Sequence, residues 1–188
     1  AIMALAVIST GFTGQAIAVA FDRRYGALKR LGATALPVWG IIAGKALAVV
    51  SVVFLQAIVL GGIGLALGWR PPVLGLLLGA AIIALGTVTF TAMGLLLGGT
   101  LKAEIVLAIA NLLWFVFAGF GALTLESGTI PGALSSIARL TPSGALTEAL
   151  SWAVSGPGAP AIDGFAIAVL AIWGAVAALA ALRWFRFT

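Results

Sequence analysis

The side chains able to do acid–base chemistry in this 188-residue chain are few: five acids, Asp22, Glu104, Glu126, Glu148 and Asp163, and ten lysines and arginines, with no histidine and no cysteine. Without them the chain lacks the usual general base, the usual metal ligands and any thiolate. Hydrolysis inside a membrane requires a positioned nucleophile and base, or a metal, and the apolar segments carry no Asp or Glu near their centres. No catalytic residue and no metal site are therefore expected, and the chain does not read as an enzyme. A proton-driven carrier is disfavoured for the same reason, because such relays place a carboxylate or histidine inside the bundle. The stretch "GIIAGK", Gly40 to Lys45, resembles a phosphate loop only superficially. A phosphate loop has four residues between its first Gly and its Gly-Lys pair, followed by Ser or Thr. Here three intervene and Ala46 follows.

The second concentration of chemistry is "FDRRYGALKRLGATALPVWGIIAGK", residues 21–45, which holds five of the ten basic residues: Arg23, Arg24, Lys29, Arg30 and Lys45. Wound as one helix at about 100° per residue, it sets Phe21, Tyr25, Leu28 and Gly32 on a narrow stripe, with Arg23 and Arg30 opposite. A basic loop alone would be drawn to anionic headgroups at about 1 kcal/mol per residue. Gly26, Gly32 and the helix-breaking "GATALP" suit a compact docking knob better than a plain lipid anchor.

These groups need a frame, and composition says what it is. The chain is 63% hydrophobic and 8% charged, against about a quarter charged in a soluble domain, and its mean hydropathy is +1.25. The expected fold is an all-α, polytopic membrane helix bundle, since strands of a barrel would alternate in short segments. Five spans are expected in one transmembrane domain covering 1–188, at about 1–20, 41–67, 73–101, 105–123 and 162–182, each long enough for a hydrocarbon core of about 30 Å. The chain opens inside an apolar run without a basic n-region, so it reads as starting part-way into a longer polypeptide, not as a signal peptide.

Cytoplasmic loops carry the excess of Lys and Arg. The 21–45 loop, the Lys102/Glu104 turn and the Arg183/Arg186 end fall inside, while "WRPP" and the acidic stretch with Glu126, Glu148 and Asp163 fall outside. The net charge of +5 is accounted for by this topology, and no nucleic-acid partner is expected. Trp39, Trp69 and Trp184 sit at span ends as interfacial anchors. Glycine pairs Gly40/Gly44, Gly64/Gly68, Gly75/Gly79 and Gly94/Gly98 point to closely packed helices. Between the fourth and fifth spans, "IPGALSSIARL" and "TPSGALTEALSWAVSGPGAP" read as two short helices that dip into the outer membrane face, the second capped by Thr141 or Ser143 with Pro142 in its first turn.

"RRYGALKRLGATALPVWGIIAGK" and "IARLTPSGALTEALSWAVSG" resemble the cytoplasmic loop and the segment before the final helix of ABC-2 type permeases, membrane subunits of a bacterial exporter class that includes drug-resistance transporters. The family usually has Pro directly after the Thr of the first motif, whereas Ala35 follows Thr34 here and proline comes at Pro37. The resemblance implies a six-helix subunit of the bacterial plasma membrane whose first helix precedes this chain. It also implies a second permease subunit, identical or homologous, and two separate ATPase subunits that bind ATP and Mg, with no cofactor in this chain. By position, Arg23, Arg24, Tyr25, Gly26, Leu28, Lys29, Arg30 and Gly32 would form the ATPase-coupling helix. Pro131, Pro142, Leu146 and Trp152 would belong to the external gate.

A substrate path is expected along Asn111, Trp114, Phe117, Thr87 and Gln56, which place mild polar groups beside aromatic rings and suit a hydrophobic or amphipathic molecule. Such polar groups equally serve as bonds between neighbouring helices. Three functions compete: an ATP-driven export permease, a passive channel or ion-coupled carrier, and a non-transporting membrane scaffold.

Overall fold

The computed structural model describes residues 2–27, 38–125, 132–155 and 162–184. Among the described residues seven helices follow one another: α1 (Ile2–Arg24), α2 (Val38–Ala66), α3 (Val73–Thr100), α4 (Ala103–Leu125), α5 (Gly132–Leu140), α6 (Pro142–Ser155) and α7 (Gly164–Trp184). No strand occurs among the described residues. Helices α1, α2, α3, α4 and α7 are long and apolar enough to cross a membrane, as the spacing of apolar runs predicts.

Helix α3 is the hub, and its small residues explain why. On the face toward α1, a Cβ at Gly94 would lie 2.6 Å from the Phe12 carbonyl oxygen, and one at Gly98 would meet the Ala16 carbonyl. Gly75 faces the Ala153 carbonyl of α6, Gly86 faces Leu146, and Thr89 meets Gly174 of α7. Each missing side chain lets a neighbouring helix approach closely, by its backbone at Gly75, Gly94 and Gly98 and by a side chain at Gly86 and Gly174, where dispersion and interhelical hydrogen bonds do the work that water does in soluble proteins. The Thr89 hydroxyl donates to the Leu170 carbonyl across the α3/α7 seam at 3.1 Å. At the centre, Phe117 of α4 stands edge-on to both Phe12 and Phe90, with centroids 5.3 and 5.5 Å apart, a preferred geometry for aromatic quadrupoles.

The glycine pairs are not equivalent. Gly94/Gly98 and Gly75/Gly79 are packed, whereas Gly44, Gly61 and Gly62 on α2 meet nothing within 4 Å. Helix α2 lies at the edge, packed on α3 and α1, with Leu47, Leu55, Ile58 and Ile63 exposed. Its end is a Schellman turn: Gly68 takes φ +94°, and Trp69 N–H donates to the Gly64 carbonyl while Gly68 N–H donates to Leu65.

The two short helices form a re-entrant pair. Fourteen residues of α6 cover about 21 Å, too short to span, yet Ala145, Leu146, Ala149 and Ala153 are fully buried against the bundle. The tip reaches well inward. Leu146 packs on Gly86 of α3, about 20 Å along that helix from Val73, and Trp173 of α7 donates to the Leu140 carbonyl at 3.0 Å. Thr141 is the cap: its hydroxyl accepts from Gly144 N–H at 3.1 Å, with Pro142 opening the helix. Replacing Thr141 by Ala should cost about 1 kcal/mol of stability, read as an earlier unfolding midpoint in detergent, while Ser should retain most of it.

Candidate functional site

At the end that the charge pattern places in the cytoplasm, α1 continues through Arg24. Asp22 accepts from Lys45 at 2.8 Å and Glu104 accepts from Arg24 at 2.6 Å, tying α1 to α2 and α4, while Arg23 donates to the Leu101 carbonyl at the end of α3. The Phe21 and Tyr25 rings share a stripe as the periodicity predicts, with centroids 5.9 Å apart, and Arg24 lies over the Phe21 ring. The docking helix expected from Arg23 to Gly32 lies only in part within the described residues, and that part contains a break. Gly26 adopts φ +75°, a left-handed conformation that ends a helix, so Arg23 and Arg24 belong to the last turn of the first span. Tyr25 and Gly26 form the exposed corner, and Tyr25 is 70% exposed. Leu28, Lys29, Arg30 and Gly32 lie outside the described residues.

In the middle of the bundle, α1 is wound as a π-helix from Ile8 to Gly14, a form that concentrates at functional sites. Its hydroxyls reach two neighbours. Trp114 of α4 donates its indole N–H to Ser9 at 2.7 Å, and Gln56 of α2 pairs with Thr10 at 3.2 Å. Ser9 and Thr10 carry no sequence signal stronger than that of any hydroxyl in an apolar run. Beside this seam, Ala6, Leu55, Gln56, Val59 and Leu60 line an open, mostly apolar groove of about 380 Å³ between α1 and α2. The candidates for a substrate path thus separate. Gln56 and Trp114 both bond the π segment and Phe117 joins the aromatic centre, whereas the Thr87 hydroxyl is buried and bonds Ile83 in its own helix. Asn111 is exposed and bonds Leu107 on the outer side of α4.

At the opposite end, the re-entrant pair is locked by Arg139, another residue that sequence patterning leaves unmarked. Its guanidinium donates to Glu148 of α6 at 2.7 Å and to Asp163 at 3.3 Å, and stacks over Phe165. The Asp163 carboxylate also caps α7, accepting from Phe165 and Ala166 N–H. The hydrogen bond to Glu148, with both carboxylates' charge against partial burial, raises the Arg139 pKa above its ordinary value. A raised pKa means that this contribution is present throughout the neutral range and is lost only in strong alkali. Of the residues expected at an external gate, Pro142 and Leu146 are buried in α6 and Trp152 is 42% exposed; Pro131 lies outside the described residues.

A basic, helix-broken corner at one end and a pair of short packed helices at the other fit a transport subunit. The family comparison decides it: the model for "ABC-2 family transporter protein" matches residues 1–183. The chain belongs to the ABC-2 transporter family. It is a multi-pass membrane transport component of an ABC transporter, a family that works with ABC ATPase partners and is not itself catalytic. No curated protein and no solved structure is matched.

Proposed function

We propose that this ABC-2 permease is the membrane half of an ATP-driven exporter in the bacterial plasma membrane, moving a hydrophobic or amphipathic substrate outward by alternating access. Two ATPase subunits, which bind ATP and Mg, would power it, and a second permease, identical or homologous, would complete the complex. The observation that carries the reading is the pairing of the Tyr25/Gly26 corner with the Arg139-locked hairpin at opposite ends of one bundle. A partner pushing on the corner acts directly on α1, whose π segment bonds both α2 and α4. Rocking of α1 then reaches the apolar groove at Gln56, which offers a path for an apolar molecule, and the hairpin gates the outer side.

Mild-detergent co-purification followed by an ATPase assay tests the reading. An associated, substrate-stimulated ATPase is expected; flux through liposomes holding this chain alone would instead support a channel or carrier. Replacing Tyr25 by Ala should lower substrate-stimulated hydrolysis by roughly tenfold or more, since truncating an aromatic anchor typically costs ~2 kcal/mol. Unchanged stimulation at equal membrane insertion would remove Tyr25 from the docking surface.

A further inference from the structure

Where α1 ends and α3 turns into α4, Ala20, Arg23, Arg24, Lys102, Ala103 and Glu104 line a cavity of about 390 Å³. Three cations face one carboxylate there, and the N-terminal N–H groups of α4 begin at Ala103, adding positive potential. The Arg24–Glu104 pair neutralises one cation at 2.6 Å, and Arg23 is engaged with the Leu101 carbonyl. Lys102 is exposed and has no carboxylate partner among the described residues. The cavity therefore keeps an excess of positive charge.

Its position decides what fills it. The cavity opens at the helix ends that the charge pattern assigns to the cytoplasmic headgroup layer, and Ala20 and Ala103 give it apolar walls. Directly along α4 from Glu104, at successive turns, Ala108, Asn111 and Phe115 form an exposed stripe, along which an acyl chain can run while a headgroup occupies the cavity. Basic pockets between transmembrane helices on this side of a membrane recognise phosphate-bearing lipid headgroups. We infer that this cavity binds the phosphate of an anionic phospholipid, such as phosphatidylglycerol, entering laterally from the inner leaflet. The site is distinct from the substrate groove at Gln56 and requires no transport, so its test stands apart from that of the export reading.

Native mass spectrometry of the full-length polypeptide, titrated with phosphatidylglycerol or phosphatidylcholine in detergent, reads the site. Tighter retention of phosphatidylglycerol is expected. Lys102→Gln should weaken it about fivefold and Glu104→Gln should strengthen it about fivefold, the change expected for one charge near the surface, with phosphatidylcholine indifferent to both. Opposite signs from two neighbouring neutral substitutions distinguish an electrostatic site from a loss of folding. Equal retention of the two lipids, or variants that shift phosphatidylglycerol in the same direction, would overturn the assignment. Inorganic phosphate supplies the other arm: millimolar phosphate should leave bound phosphatidylglycerol in place, and its full displacement would assign the cavity to free phosphate instead.

Discussion

Gly94→Val is expected to destabilise the bundle by about 3 kcal/mol, at the upper end of the usual cost of overpacking. The reason is what the new side chain would meet. A Cβ at Gly94 falls 2.6 Å from the Phe12 carbonyl oxygen, 3.0 Å from that of Gly11 and 3.2 Å from the Ala16 nitrogen. All three are backbone atoms, so no rotamer change relieves the clash; α1 must move away from α3 along its π segment. That movement would separate Phe12 from Phe117 and draw Ser9 and Thr10 from Trp114 and Gln56. Gly61→Val supplies the control, because nothing lies within 4 Å of that position, and its effect should stay within about 0.5 kcal/mol. Unfolding midpoints in detergent, followed by circular dichroism, compare the two. Equal midpoints would show that α1 and α3 are not in this close contact.

Arg139→Ala should have the next largest effect, about 1 to 3 kcal/mol with loosening of the re-entrant pair. Breaking a buried ion pair costs more than that, but the Arg139 side chain is 43% exposed and solvent screens part of its interaction. The damage comes from what is left behind: Glu148 and Asp163 are 17% and 13% exposed, so two mostly buried carboxylates would face each other without a cation. Arg139→Lys keeps the charge but cannot reach both carboxylates with a planar fork, and should recover only part of the loss. Protease accessibility of the hairpin from the outer side, together with the unfolding midpoint, measures both variants. A hairpin as protected in Arg139→Ala as in the parent would mean that α6 packing alone holds it shut.

Much of this architecture is legible in the chain. The five spans appear close to their expected positions, with the first extended to Arg24, since apolar length is a local property. The Thr141-Pro142 start of α6 is legible for the same reason: cap and first turn are neighbours in sequence. Of the expected apolar stripe, the Phe21/Tyr25 pair lies within the described residues and is legible from the helical period. Helical periodicity carries no warning that a glycine will go left-handed, and Gly26 does, dividing a basic segment that reads as one helix.

The candidate path was less legible. Gln56, Trp114 and Thr87 look alike in sequence, as isolated polar or amphipathic residues in apolar runs. Their difference lies in partners 46 and 105 residues away for the first two, and four residues away for the third. The glycine pairs behave likewise: spacing marks Gly40/Gly44 and Gly94/Gly98 equally, and only the neighbouring helix separates an open face from a tight seam.

By itself, then, the sequence determines the five described helices long and apolar enough to cross a membrane, which end is basic, and where the short helices start. A bilayer requires each segment to satisfy its own backbone hydrogen bonds, so those properties are settled within each segment. Tertiary structure decides which glycines bring backbones together, where α1 widens into a π-helix, and that Arg139 answers both Glu148 and Asp163. Those outcomes depend on which helices become neighbours, and in lipid that choice is made by close packing and scattered polar bonds between distant parts of the chain.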